Sequence, residues 1–262
     1  MLDLETSLNM FLIVCPLVFL AGVVDSIAGG GGLISLPAYL IAGVPPHLAL
    51  GTNKLSSAVG TVVSTVRYCR NMPIRPLLAL LSIAFALIGS VCGSNLALLA
   101  DEGLLRNLMI FVLPVVAVVV LSNKRAPAAE ESPYSTARLA ASMSGIAFVI
   151  GGYDGFYGPG TGTFLLLLFM GLCKLGVRQS SAYTKVVNLS SNLAALTVFL
   201  LSGKVVVPLG LCAAAFSIAG HYIGAGLAIK NGSKIVRPTV IIVLILLTIK
   251  VGSELLFPEF WS

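Results

Sequence analysis

Long apolar stretches recur along this chain, among them Ile110 to Leu121 and Val240 to Ile249. Several reach the ~20 residues that an α-helix needs to cross ~30 Å of hydrocarbon. Of 262 residues, 57% are hydrophobic and 10% charged, whereas soluble domains run near ~25% charged and ~45–50% apolar. The mean hydropathy of +1.02 comes from the whole series of stretches rather than from one anchor, which makes the expected class an all-α polytopic membrane protein. That excludes a secreted disulfide scaffold and a nucleic-acid partner, and it argues against a soluble enzyme; no cofactor is expected. Cys15, Cys69, Cys92, Cys173 and Cys212 show no C-x-x-C spacing and read as small core residues, so no metal site is expected. Met1 to Asn9 carries Asp3 and Glu5 ahead of the apolar run Met10 to Val24. A signal peptide starts basic, so the N-terminus is expected to remain in the mature protein.

The chain repeats itself. Gly89-Ser-Val-Cys-Gly93 is answered by Gly220-His-Tyr-Ile-Gly224, 131 residues on, and the same offset carries Lys54 onto Lys185 and Arg106 onto Arg237. Asp25 to Gly31 is answered by Asp154 to Gly160 at an offset of 129. The expected organisation is therefore a first repeat at 1–122, a polar linker at 123–136 and a second repeat at 137–262. Each repeat divides into an apolar segment ending in glycines, a short apolar segment and three longer ones. In the first these are roughly Asn9 to Ala28, Leu33 to Gly43, Pro46 to Tyr68, Arg75 to Leu99 and Leu104 to Leu121. In the second they are roughly Ala137 to Tyr153, Thr163 to Cys173, Ser180 to Leu201, Val205 to Ile229 and Lys234 to Leu256. A segment of ~11 residues covers only ~16 Å, so each pair of leading segments is expected to form a glycine-broken re-entrant hairpin, followed by three transmembrane helices.

Charge placement gives orientation. Arg67, Arg70 and Arg75 follow the third segment of the first repeat, where the second repeat has only Lys204; Lys230, Lys234 and Arg237 follow the fourth segment of the second, where the first has Asp101, Glu102 and Arg106. The two repeats are thus expected to be inverted relative to each other. With the linker cytoplasmic, eleven of the sixteen Lys and Arg lie inside and both termini face outward. Inverted repeats with interrupted helices are the architecture of secondary transporters, whose site lies near the midplane.

Lys54 and Lys185 are the strongest chemical signal. An ammonium near the bilayer centre costs at least ~2.5–3.5 kcal/mol and persists only with a partner or a purpose. Each lies ~8 residues, or ~12 Å, into its helix from opposite faces, which brings both close to the midplane. Thr52 and Asn53 beside the first, and Thr184, Asn188 and Asn192 beside the second, would line a hydrated anion site with hydrogen-bonding groups. The bland alternative is that each lysine neutralises a buried carboxylate and locks the fold. Gly30 and Gly31, and Gly160 with Thr161, stand where the chain turns at depth; the helix after each turn would aim its unsatisfied N–H groups at an oxyanion. Neither stretch is a Walker A loop. Asp25 and Asp154, at the mouths of these turns, are candidates to cap the short helices, pair with the lysines or take up coupling protons. His221 reads as a helix contact inside a small-residue packing motif. A Lys185→Ala variant is expected to lose anion binding with its fold intact.

These residues also carry a family resemblance. Ala21 to Gly32 (AGVVDSIAGGGG), Gly51-Thr-Asn-Lys54, Tyr153 to Gly162 (YDGFYGPGTG) and Lys185 to Asn192 (KVVNLSSN) closely resemble the TauE/SafE family of sulfite and organosulfur anion exporters, in its YfcA-like branch. The similarity runs over nearly the whole chain. It implies a bacterial inner-membrane permease and substrates such as sulfite, sulfonates or other sulfur-containing anions.

The expected function is a secondary carrier that moves a small anion by alternating access, with protons or sodium as the coupling ion, the lipid bilayer around it, and room for a homo-oligomer. A passive anion channel is the rival reading. An intramembrane aspartyl protease, which needs two carboxylates close enough to share a proton, is the remoter one, so no catalytic residue is assigned.

Overall fold

The computed structural model describes residues 7–101 and 132–232, together with 234–236, 238, 239, 241, 242 and 245. The expected segment Leu104 to Leu121, most of the linker 123–136 and much of Lys234 to Leu256 lie outside the described residues. Eight helices are described: α1 (Leu8–Ala28), α2 (Gly32–Ile41), α3 (Pro46–Asn71), α4 (Pro76–Leu99), α5 (Thr136–Phe156), α6 (Thr161–Gly171), α7 (Val177–Leu201) and α8 (Val207–Asn231). No strand occurs among the described residues. Local chemistry starts several of these helices. Pro46 and Pro76 open α3 and α4, and Pro208 sits in the first turn of α8, where a missing N–H costs nothing and φ is already helical. The Ser135 hydroxyl accepts the Arg138 N–H at the start of α5, a serine cap on the first turn.

α3 and α7 begin 131 residues apart, at positions 46 and 177, and so do α4 and α8, at 76 and 207. The packing repeats as well. α4 runs along α5 and α1 along α8, while α3 lies against α7 and α8, and α7 against α3 and α4. Exchanging each helix of the first half for its counterpart in the second leaves this set of neighbours unchanged.

The short helices double back. α1 ends at Gly29, whose φ of 82° places it in the left-handed region and lets its N–H bond the Asp25 carbonyl at 2.7 Å. This is the left-handed helix stop that glycine adopts without strain. Two residues later a side chain at Gly31 would strike the Ala21 carbonyl, so the chain has reversed along α1. The second hairpin reverses through Gly158 and Gly160, at φ 98° and 83°, and brings the Phe164 ring 5.4 Å from that of Tyr153. The two turns touch: a side chain at Gly29 would strike Gly162, and one at Gly32 would strike Pro159. The Thr163 hydroxyl donates to the Ala28 carbonyl at 2.8 Å and its N–H to the Gly29 carbonyl at 3.3 Å.

Five described helices, α1, α4, α5, α7 and α8, are long and apolar enough to cross a membrane. They turn large apolar side chains outward, Leu12 and Leu20 on α1 and Leu80 and Ile88 on α4 among them, as a lipid-facing surface requires. α3, at 26 residues, is as long, but its inner face is polar: Thr52, Asn53, Lys54, Ser56, Thr61 and Ser64 are all buried. Polar side chains also bind it to its neighbours. The Tyr39 hydroxyl donates to Ser56 Oγ at 2.9 Å, the Tyr68 hydroxyl to the Ser26 carbonyl at 3.1 Å, and the Thr65 hydroxyl to the Lys185 carbonyl at 3.1 Å. Arg67, expected as topogenic charge, also donates to the Tyr222 carbonyl and lies 4.2 Å over the Tyr222 ring. The cysteines divide. Cys15 and Cys173 are buried as expected, but Cys69 and Cys92 are exposed on the outer surface rather than in the core. Cys92 sits on an apolar helix face that no other described helix covers, which its flanking sequence cannot distinguish from a core position, and Cys69 stands beside the exposed Arg70 at the end of α3.

The paired glycines are contact points. A side chain at Gly89 or Gly93 would strike the Phe148 or Gly152 carbonyl of α5, and one at Gly220 the Phe19 carbonyl of α1. These are the close backbone approaches that small residues permit. Gly145, by contrast, faces open space. Gly93→Leu is therefore expected to lower the melting point in detergent, by overpacking worth ~1–3 kcal/mol. Gly145→Ala should raise it, by up to ~1 kcal/mol of helix propensity. Equal melting points for the two variants would contradict the packing described.

Candidate functional site

α3 and α7 carry their lysines to the same place, Lys54 eight residues after Pro46 and Lys185 eight after Val177, and both side chains are buried. Each is paired with the aspartate of the other half of the chain. Lys54 Nζ lies 2.8 Å from Asp154 Oδ1 and donates to Asn192 Oδ1 at 3.2 Å. Lys185 Nζ lies 3.1 Å from Asp25 Oδ2 and also donates to the Asp25 backbone carbonyl. Two positive and two negative charges thus cancel pair by pair, which is how charges survive in a low-dielectric interior. The aspartates lie in the last turn of α1 and of α5, where the helix dipole disfavours a carboxylate and favours an ammonium. The lysines offset that cost.

The halves differ in what surrounds each carboxylate. Both Asp25 oxygens are occupied: Oδ1 accepts the Gly31 N–H at 3.3 Å, and Oδ2 faces Lys185 and, at 3.2 Å, His221 Nε2. An ionised carboxylate only accepts, so Nε2 donates to it, while Nδ1 of the same ring lies 3.0 Å from the Ser217 carbonyl and 3.3 Å from the Ser217 hydroxyl. Asp154 is held by Lys54 through Oδ1 alone, and its Oδ2 is buried without a hydrogen-bond partner. Asn53 Oδ1 and Thr184 Oγ1 are likewise buried and unpartnered.

A polar cavity lies between the two glycine turns. Gly29, Gly32 and Asp25 line it from the first hairpin, and Asp154, Gly158, Thr161 and Gly162 from the second. Asn53, Lys54 and Ser57 line it from α3, and Asn188 and Asn192 from α7. The space open to the centre of a water-sized guest is about 20 Å³, room for roughly one water. An oxyanion can enter only if the helices part or a carboxylate withdraws from its lysine. Gly32 opens α2 and Gly162 lies in the first turn of α6, so two helix N-termini face the same space, an arrangement that favours an anion.

Of the residues expected at the site, Asn53, Lys54, Asn188, Asn192, Thr161, Asp25 and Asp154 meet in this cavity. Lys185 does not line it; it stands behind Asp25. Thr52 is buried elsewhere: its hydroxyl donates to the Leu48 carbonyl at 2.6 Å and accepts the Val206 N–H at 2.9 Å, pinning the start of α8. Thr184 is buried outside the lining. Gly30, Gly31 and Gly160 shape the turns, while Gly29, Gly32, Gly158 and Gly162 are the glycines that border the space. A side chain at Gly158 would crowd Lys54 Nζ at 2.9 Å, so this glycine makes room for the ammonium. His221, read from sequence as a helix contact, does pack at Gly22 and Gly60, and it also engages Asp25. Its counterpart 131 residues earlier is Ser90. A titratable group that appears in only one copy of a repeat is the signal that could have singled it out. The two aspartates are each bound to a separate lysine rather than to each other, which is not the shared-proton dyad of an aspartyl protease.

Known proteins place this geometry in context. Residues 14–251 match the family model described as "Sulfite exporter TauE/SafE". The chain is 36% identical over 258 residues to "Probable membrane transporter protein ORF9" of Sinorhizobium sp, covering 97% of this chain and 96% of that one. It is 32% identical over 249 residues to "Probable membrane transporter protein YfcA" of Escherichia coli strain K12, covering 90% and 89%. A further "Probable membrane transporter protein", from Haemophilus influenzae, is 30% identical over 249 residues, 94% of this chain and 96% of its own length. No solved structure matches the chain. A family match over most of the chain, relatives aligned almost end to end and five apolar helices of spanning length agree: the chain belongs to the TauE/SafE family and is a multi-pass membrane transporter protein.

Proposed function

We propose that this transporter is a secondary carrier of a small anion, sulfite or another sulfur-containing oxyanion or organosulfonate foremost, working by alternating access around the cavity between the glycine turns. The observation that carries the reading is the reciprocal pairing of Lys54 with Asp154 and of Lys185 with Asp25. Each half of the chain completes the charge of the other, so a movement between halves acts directly on the site. In this reading the halves are inverted repeats in the cell inner membrane of a bacterium, with the linker 123–136 cytoplasmic and both termini outside, as the arginine and lysine positions favour. The helices α2 and α6, at 10 and 11 residues, are re-entrant and stop near the midplane, where broken helices of transporters bind substrate. Lys54 supplies the charge that meets the anion. Asn53, Asn188, Asn192, Thr161 and the backbone amides of Gly32 and Gly162 supply hydrogen bonds. The sulfur chemistry is supported by the family's description, and the small polar cavity suits a compact headgroup.

Purified protein reconstituted in liposomes tests this. Vesicles loaded with unlabelled sulfite are expected to accumulate labelled sulfite transiently above its external concentration, because a carrier exchanges substrate across its two states. Downhill flux with no such counterflow would mark a passive channel instead.

A further inference from the structure

The two carboxylates are not interchangeable, and their difference bears on how the carrier is driven. Resting on the anion-carrier reading above, we propose that Asp154 is the coupling-proton site: a proton taken up on its Oδ2 releases Lys54 to hold the anion, while Asp25 stays locked.

Charge comes first. With Lys54, Lys185, Asp25 and Asp154 ionised the site is neutral, and Lys54 is already satisfied by Asp154 Oδ1 at 2.8 Å and Asn192 at 3.2 Å. An anion entering that space adds an uncompensated charge to a poorly solvated interior, a cost of several kcal/mol. One proton removes it. Neutral Asp154 no longer competes for the ammonium, and the anion's charge is matched by Lys54.

Hydrogen bonding then decides which aspartate takes the proton. Asp25 has no oxygen to spare, since Gly31, Lys185 and His221 occupy both. Asp154 Oδ2 is 98% buried by residue and has no partner, and Asn53 Oδ1, on the wall of the same cavity, has none either. Both are acceptors. Neither of these two acceptors has a donor, and a proton on Asp154, reached through the single water that the space admits, supplies one. The groups around Asp154 leave few other candidates. Lys54 faces it from α3, and Asp25 lies across the cavity on α1, with Lys185 of α7 and His221 of α8 behind. α4 brings Gly89, Ser90 and Gly93 to this stretch of α5. α6 brings Thr161 and Phe164, α7 the amides of Asn188 and Asn192, and Tyr153 of α5 itself donates its hydroxyl to the Pro159 carbonyl at 2.6 Å.

The sign follows from linkage. The anion-bound state holds one more proton than the empty one, so affinity rises as pH falls, about tenfold per pH unit wherever empty Asp154 is ionised. A monoanion and its proton then cross together without net charge.

Calorimetric titration of the full chain in detergent tests this, with methanesulfonate as a probe of fixed charge and two buffers of different ionisation enthalpy. The expected result is about one proton taken up per anion bound, with the tenfold pH slope. Asp154→Asn, a permanently neutral mimic of the loaded state, should bind methanesulfonate with no slope and no uptake. His221→Gln, whose side chain meets Asp25 and not Asp154, should keep both. Binding without proton uptake, dependence on sodium instead, or uptake that survives Asp154→Asn would overturn the proposal. Failure of both wild type and Asp154→Asn to bind methanesulfonate or sulfite at any pH would overturn the anion reading itself.

Discussion

Lys185→Ala is expected to destabilise the folded protein by about 3–5 kcal/mol, the cost of removing one partner from a buried ion pair. Asp25 would keep the Gly31 N–H and His221 but lose its counter-charge, and the Asp25 carbonyl at the end of α1 would lose the ammonium that caps it. The sequence alone led to a different expectation, that this variant folds normally and merely loses its ligand. The geometry reverses it, because Lys185 stands behind Asp25 instead of lining the cavity. Adding Asp25→Ala should restore most of the loss, since no charge is then left unpaired. Thermal melting of the single and double variants in detergent checks this. Equal melting of Lys185→Ala and wild type, or a double variant no better than the single, would show that the pair contributes nothing to the fold.

How much of this was legible in the sequence depends on how local the signal is. Helix boundaries were legible where a residue with a mechanism marks them, whereas α7 begins at Val177 rather than Ser180 and α5 runs to Phe156 rather than Tyr153. α1 was expected to end at Ala28 and does, since Gly29 supplies the left-handed stop; α3 opens at Pro46 and α7 ends at Leu201 as expected. Gly89 to Gly93 and Gly220 to Gly224, which match in the sequence, do the same work, each admitting a helix of the other half. The buried lysines announced themselves by their cost. Pairing was not legible. Either lysine could have met either aspartate, and only the approach of α3 to the second turn and of α7 to the first decides it. Thr52 was misleading for a similar reason. It sits two residues before Lys54, but on a helix that spacing turns its hydroxyl toward a different neighbour, here the start of α8. His221 was read by its company of glycines, which is correct for packing and silent about Asp25.

The largest functional effect is expected at Lys54, the one lysine among the described residues that borders the cavity. Losing a buried charged contact to a ligand costs ~2–5 kcal/mol, so anion affinity should fall by at least ~30-fold. The variant must keep the site neutral to remain folded, so Lys54→Ala is best made together with Asp154→Asn. The most direct measurement is the melting temperature of wild type, Asp154→Asn and Lys54→Ala/Asp154→Asn in detergent, each titrated with sulfite and short sulfonates. A ligand bound only by the folded state adds ~2.7 kcal/mol at ~100 times its Kd. The first two proteins should be stabilised by the same anions and the third by none of them. An anion that stabilises Lys54→Ala/Asp154→Asn as strongly as wild type would contradict the account, for it would place the anion away from the crossed lysine–aspartate pairs.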